Sequence, residues 1–184
     1  MNTLLPDIPI VDIRDGGPPH HARQSAARAR ALRDSCLRFF SRAALPFISA
    51  LDWLSHRALK RSRSPYFAEV AQIAAALDFS GVWLLNASYQ WGCTARACEQ
   101  NGEAWLTRTL DWPFSGLGRH AELAHMRGAC GDFVSVTWPG YVGVLTAMAP
   151  RRFAAALNQG RYDGGRGIAG CAPAITRRMR CARR

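Results

Sequence analysis

The stretch GCTARACEQNGEAWLTRTLD, residues 92–111, predicts a β-hairpin. Asn101-Gly102 separates two short strand candidates, Thr94 to Glu99 and Ala104 to Thr109. An Asn-Gly pair in this position favours a two-residue type I′ turn. With that turn, Cys93 faces the leucine at position 110 across the hairpin, and Ala95 faces the arginine at position 108.

This register gathers three reactive groups at the open end of the hairpin. Cys93 and Arg108 lie on one face as diagonal neighbours, because side chains alternate between the faces of a strand. A neighbouring cation favours the thiolate, which is the nucleophilic form of cysteine. Asp111 lies just past the strand end, where it is expected either to pair with Arg108 or to accept a hydrogen bond from an amine.

Two interpretations of this group remain open at this point. The sequence has no histidine near the hairpin, so an ordinary Cys-His pair is not indicated. If Cys93 became a chain terminus, its own α-amine would serve as the base, as in N-terminal threonine enzymes. The other interpretation is a structural cysteine beside a structural Arg-Asp pair.

Four stretches of the chain resemble the N-terminal-nucleophile hydrolases of the acid ceramidase group. That group includes N-acylethanolamine-hydrolysing acid amidase, and the choloylglycine hydrolases are more distant relatives. The resemblance covers roughly residues 80 to 159. The stretches that carry it are LLNASYQWGCT (84–94), TRTLDWP (107–113), TWPG (137–140) and FAAALNQ (153–159).

The resemblance implies a particular fold and reaction. The fold is an αββα sandwich, and the precursor cuts itself between Gly92 and Cys93. Cys93 is then the nucleophile, Arg108 and Asp111 support it, and Asn158 matches the oxyanion-hole asparagine. The reaction implied is hydrolysis of a linear amide in an N-acylated small molecule or lipid, without a metal or cofactor.

The loop that follows the hairpin is rich in aromatic residues, proline and glycine. Trp112 and Phe114 are candidates for the wall of an acyl-binding pocket, and ordinary loop packing is an equally good explanation for them. Trp105 and Trp138 are expected in the core. Cys98 is expected on the face opposite Cys93, because it follows Cys93 by five positions, an odd offset.

The pattern along the chain predicts an α+β fold with three parts. Residues 1–92 form a helical N-terminal segment, which by the resemblance corresponds to a propeptide or small chain. Residues 93–160 form antiparallel strands, which by the resemblance belong to a partial sandwich, and residues 161–184 form a basic, disordered tail. Helices are expected over 22–44, from position 46, and over 66–79, and strands over 121–126, 133–138, 142–147 and 153–158.

The first 21 residues are expected to be extended and turn-like. The sequence Gly16-Gly17-Pro18-Pro19 is expected to break any regular element, and His20-His21 is expected to be solvated. At the other end, apolar periodicity stops after residue 160, which predicts a truncated or frameshifted relative of the hydrolases. A flexible basic tail on an intact small protein is the alternative.

Charge and cysteine usage bound the remaining function classes. The net charge is +11, and the segment after position 160 carries seven arginines and one acid. A nucleic-acid binder is therefore the third hypothesis, after the amidohydrolase and an inactive or structural remnant, but no nucleic-acid motif accompanies the charge. Six cysteines lack zinc-site spacing, and no signal peptide or membrane span is recognisable. A cytoplasmic, reducing location is expected. The resemblance implies in addition that the two chains left by self-cleavage stay associated.

Overall fold

The computed structural model describes residues 7–38, 45–87, 92–111, 116–129 and 131–158. The predicted tail at 161–184 lies outside the described residues. The helices and strands are β1 (Ile10–Asp12), α1 (Gly17–Gln24), α2 (Ala26–Leu37), α3 (Leu45–Arg61), α4 (Phe67–Leu77), α5 (Val82–Ala87), β2 (Gly92–Gln100), β3 (Glu103–Asp111), a 3₁₀ helix (Leu117–His120), β4 (Glu122–Gly128), β5 (Gly131–Thr137), β6 (Thr146–Ala149) and β7 (Phe153–Ala156).

The α+β class predicted from the sequence is confirmed. Five strands form one sheet in the order β1-β4-β5-β6-β7, and β2 and β3 form a separate two-stranded ribbon. Strands β4 to β7 are antiparallel neighbours, as expected, whereas β1 runs parallel to β4. The sequence analysis missed β1, a three-residue strand too short to show a period. Within the described residues, no helix combines the length and apolar character needed to cross a membrane.

The predicted hairpin forms in the predicted register. Cys93 pairs with Leu110 and Ala95 with Arg108. The two turn residues, Asn101 and Gly102, have φ angles of 56° and 80°, the left-handed pair that a type I′ turn requires. Local turn chemistry therefore fixed which side chains share a face of the ribbon.

The expectation for the first 21 residues is wrong where the prolines lie. Helix α1 begins at Gly17, and Pro18 and Pro19 lie in its first turn. Proline is tolerated there because the first N–H groups of a helix have no intrahelical acceptor. The dipeptide that was expected to break regular structure instead starts a helix.

His21 is buried rather than solvated, with an exposed fraction of 3%. Its Nε2 lies 2.6 Å from Oε2 of Glu122, a fully buried carboxylate at the start of β4. Oε1 of the same carboxylate lies 2.5 Å from Nη1 of Arg28 on α2. Burying a carboxylate is costly unless it is paired, so this group ties the first two helices to the five-stranded sheet.

The strand predicted over 142–147 forms later, as β6. The preceding residues form a loop, because Asn86 on α5 holds its backbone. Asn86 is buried, donates from Nδ2 to the Gly140 carbonyl at 3.0 Å and accepts from the Val142 N–H at 2.8 Å. These bonds replace the ladder that a strand would make, and they fix the loop against the helices.

The core consists of two clusters of buried side chains. One is helical and includes Val70, Ile73 and Leu77 of α4. The second includes Leu32, Leu117, Trp138, Tyr141 and Leu145, with Cys93 and Leu110 of the ribbon packed against it. Trp138 is thus in the core as predicted.

Trp105 is not in the core, contrary to expectation, since 53% of it is exposed. It pairs with Cys98 on the outer face of the ribbon, opposite the face that carries Cys93. No element of the five-stranded sheet pairs with this ribbon. The face of the ribbon that carries Cys93 and Leu110 packs against the core. The opposite face, which carries Trp105, is left exposed to solvent.

The left-handed conformation of Gly102 predicts how its replacement changes the free energy of unfolding. A Cβ at this position would meet no atom within 4 Å, so Gly102→Ala introduces only the strain of a left-handed alanine. We expect it to lower the free energy of unfolding by about 1 kcal/mol. Gly118→Ala is the matched control, because its Cβ also meets nothing and its φ is not left-handed. Urea denaturation of both variants measures the difference, and an equal effect at the two sites would contradict the turn assignment.

Candidate active site

The site is organised by Arg108, which points from β3 toward the five-stranded sheet. Its Nη1 donates to Oγ1 of Thr146 on β6 at 3.0 Å, and its Nη2 donates to the carbonyl oxygen of Leu157, just after β7, at 2.9 Å. A guanidinium presents several donors in a rigid plane, so one side chain reaches both partners at once. Arg108 therefore joins the ribbon to the sheet.

The same Nη2 also donates to Sγ of Cys93 at 3.3 Å. The register already made these residues diagonal neighbours, and the anchored guanidinium brings the cation into contact with the sulfur. Cys93 is half-buried and has a free thiol. The sequence prediction that a thiol and a guanidinium meet at this end of the hairpin is confirmed.

Asp111 does not pair with Arg108. It pairs in register with Gly92, on the face of the ribbon opposite Arg108, and it is exposed. Its Oδ2 accepts a hydrogen bond of 3.5 Å from Oγ1 of Thr109. The separation of three residues along a strand puts these two side chains on opposite faces, so the expected Arg-Asp pair is wrong.

The other predicted site residues fall in different places. Asn158 is exposed and directly follows Leu157, whose carbonyl accepts from Arg108, so its backbone lies at the same site. Trp112 and Phe114, proposed for the acyl pocket, lie outside the described residues. Their role in an acyl-binding pocket stays a prediction.

A cavity of about 260 Å³ adjoins the thiol-guanidinium pair. Arg108 forms part of its wall, as does Leu110, the cross-strand partner of Cys93. Most of the remaining wall is apolar and comes from the 3₁₀ helix, from β5 and β6, and from the loop between these two strands. The other lining residues are Leu117, Gly118, Val136, Trp138, Leu145 and Thr146.

Arg108 carries one donor that nothing in the described chain satisfies. Its Nε is buried and has no hydrogen-bond partner among the described residues. A buried, unpaired N–H costs free energy unless a ligand or another group accepts from it.

The cysteines described in the structure differ in their surroundings. Burial raises the pKa of the Cys36 thiol to about 11, so it stays protonated at neutral pH. Cys98 lies on the outer face of the ribbon, as predicted, and Cys93 alone of these three contacts a cation through its sulfur. The described residues contain no group of acidic, histidine and cysteine side chains able to hold a metal ion.

Comparison with known proteins adds no identification. No family model matches this chain, and no curated protein matches it significantly. The geometry of the site therefore carries the functional argument.

Sequence reasoning missed Thr146 and the Leu157 carbonyl as the anchors of Arg108. Both anchors lie far along the chain from Arg108, so no local pattern connects them to it. In addition, neither a threonine in a strand nor a backbone carbonyl gives a distinctive sequence signal. It also missed Asn86, which shapes the loop beside the cavity. The one sequence signal that could have indicated Asn86 is its position as a polar residue directly after the apolar run Val82 to Leu85.

Arg108→Lys is expected to weaken the attachment of the ribbon. A lysine keeps the charge but loses the planar fork that reaches Thr146 and Leu157 together, and hydrogen bonds from charged donors are worth about 2 kcal/mol each. We expect the free energy of unfolding to fall by about 2 kcal/mol in urea denaturation. Arg96→Lys, at an exposed position of β2, is the control and should change little. Equal effects of the two substitutions would show that Arg108 is not an anchor.

Proposed function

We propose that this chain is an amidohydrolase of the N-terminal-nucleophile type, with Cys93 as the nucleophile. The observation that carries the proposal is the contact of Arg108 Nη2 with Cys93 Sγ at 3.3 Å, beside an apolar cavity. The substrate class is a linear amide in an N-acylated small molecule or lipid. In the same proposal, the ribbon and the five-stranded sheet are parts of the two sheets of a partial αββα sandwich.

The first step is self-cleavage between Gly92 and Cys93. The sulfur attacks the Gly92 carbonyl carbon, the peptide C–N bond breaks, and a thioester forms as the nitrogen takes a proton and becomes the Cys93 α-amine. Water then hydrolyses the thioester and restores the thiol. Asp111 is the cross-strand partner of Gly92, and this register supports a role for its carboxylate as acceptor of a hydrogen bond from the freed amine. Of the two roles left open for Asp111 by the sequence, its position supports this one.

The second step repeats this chemistry on the substrate. The Cys93 α-amine takes the thiol proton, and the thiolate attacks the amide carbonyl carbon. The amide C–N bond then breaks as the ammonium returns that proton to the departing amine, and an acyl-enzyme remains. Arg108 offsets the negative charge that collects at the sulfur. Asn158 and a backbone N–H stabilise the tetrahedral oxyanion, an effect typically worth about 3 kcal/mol. Water then attacks the thioester and releases the acid.

The cavity supports an apolar acyl group rather than a charged one. Its wall is formed largely by leucine, valine and tryptophan side chains, and burial of apolar surface there is favourable. An N-acyl compound with a hydrocarbon acyl chain fits a wall of this kind.

Intact-mass spectrometry tests the proposal on purified full-length protein. After incubation from acidic to neutral pH, we expect two fragments that meet at Gly92–Cys93 and together weigh the intact chain plus one water. Cys93→Ala removes the sulfur and should stay whole, while Cys98→Ala, on the outer face of the ribbon, should cleave like the wild type.

The outcomes separate the amidohydrolase from the inactive or structural remnant. A processed wild type that also releases a fluorogenic amine from an N-acyl amide, with Cys93→Ala inactive, is the expected result. A chain that remains whole at every pH and releases no amine would overturn the proposal. Cleavage that occurs equally in Cys93→Ala would show that another residue or a contaminating protease cuts the chain.

A further inference from the structure

Helix α3, Leu45–Arg61, has one face buried against the rest of the protein. Ile48 and Leu59 are buried on that face. Asp52 is also buried there, and its Oδ1 accepts a hydrogen bond of 2.9 Å from the Leu84 N–H on α5. These contacts account for one side of the helix and leave the other side to solvent.

The outward side of α3 is apolar as well. Phe47, Leu51 and Leu54 are 65%, 42% and 52% exposed. Their spacing of four and three residues places them in one stripe along the helix, and the exposed Ala58 extends that stripe. An exposed row of large apolar side chains on a helix marks a surface that contacts an apolar partner.

Cations flank this stripe, and residues 45–66 contain no exposed acid. The Arg57 guanidinium lies over the exposed Trp53 ring, 4.7 Å from its centroid. Lys60 and Arg61 occupy the last turn, Arg63 follows, and all four basic residues are exposed. Within residues 45–66 the single acidic residue is Asp52, which is buried. The outward face is therefore both apolar and purely cationic.

We propose that α3 docks this protein onto the surface of a membrane that contains anionic lipid. The helix lies in the plane of the interface, with Phe47, Leu51 and Leu54 among the acyl chains and the cations at the headgroups. Tryptophan at the border of the stripe suits the same depth. The positive charge of this face favours a membrane over a second copy of the chain as its binding partner. Two copies meeting through this face would bring their cations together, whereas anionic headgroups neutralise them.

Vesicle co-sedimentation of the full-length protein tests the proposal. The probes are vesicles of phosphatidylcholine alone and vesicles of phosphatidylcholine and phosphatidylserine at about 7 to 3. We expect binding to the mixed vesicles, and much weaker binding to phosphatidylcholine alone and at high salt. The double variant Leu51→Glu/Leu54→Glu should reduce the partition coefficient at least about tenfold, because two charges enter the apolar stripe.

Matched controls separate docking from misfolding and from general charge. Ile8→Glu/Ile10→Glu adds the same charge at two other exposed aliphatic residues and should bind like the wild type. Arg57→Gln/Lys60→Gln/Arg61→Gln should lose the preference for phosphatidylserine, while Arg23→Gln/Arg96→Gln/Arg151→Gln, at exposed positions elsewhere, should keep it. Circular dichroism confirms that each variant folds.

Three results would overturn the proposal. One is the absence of binding to the mixed vesicles by folded wild-type protein. Another is an equal loss of binding in the two double-glutamate variants, which would indicate that total charge alone governs binding. The third is a wild-type dimer in sedimentation velocity that Leu51→Glu/Leu54→Glu dissociates, since the face would then be covered by a second copy.

Discussion

The attachment of the ribbon to the five-stranded sheet through Arg108 is the constraint on which the site depends. An isolated two-stranded ribbon is marginally stable in water, and β2 and β3 share no ladder with the other strands. Leu110 packs against the second core cluster, and the Arg108 guanidinium bonds to Thr146 and to the Leu157 carbonyl. Thr146 lies on β6 and Leu157 directly follows β7, at one end of the sheet, so Arg108 and Leu110 together set where the open end of the hairpin lies.

That attachment also gives Cys93 its surroundings. The nitrogen that bonds to Leu157 is the nitrogen that contacts the sulfur, so a structural role and a chemical role share one atom. The helices complete the site from the other side. Asn86 fixes the loop that contributes Trp138 and Leu145 to the second core cluster, and those two side chains form part of the cavity wall. Helical packing thereby shapes the space beside the thiol.

Contacts between residues close together in the sequence were predictable, and contacts between distant residues were not. Asn101-Gly102 determines a turn within four residues, so the pairing of Cys93 with Leu110 was predictable. The partners of Arg108 lie 38 and 49 residues further along the chain, and no local sequence pattern predicts these contacts. The expected Arg-Asp pair does not form because β3 continues through Asp111, so strand alternation puts its side chain on the face opposite Arg108. Pro18 and Pro19 do not break regular structure because they lie in the first turn of α1, where proline is tolerated.

Alkylation of Cys93 by iodoacetamide at pH 7, mapped by peptide mass spectrometry, tests the central claim most directly. The account predicts that Cys93 reacts faster than Cys36 and Cys98, because its sulfur alone among the three contacts a cation and Cys36 is protonated at this pH. It further predicts that Arg108→Gln slows Cys93 severalfold and leaves Cys98 unchanged. Equal reactivity of Cys93 and Cys98 in the wild type, or no effect of Arg108→Gln, would contradict it.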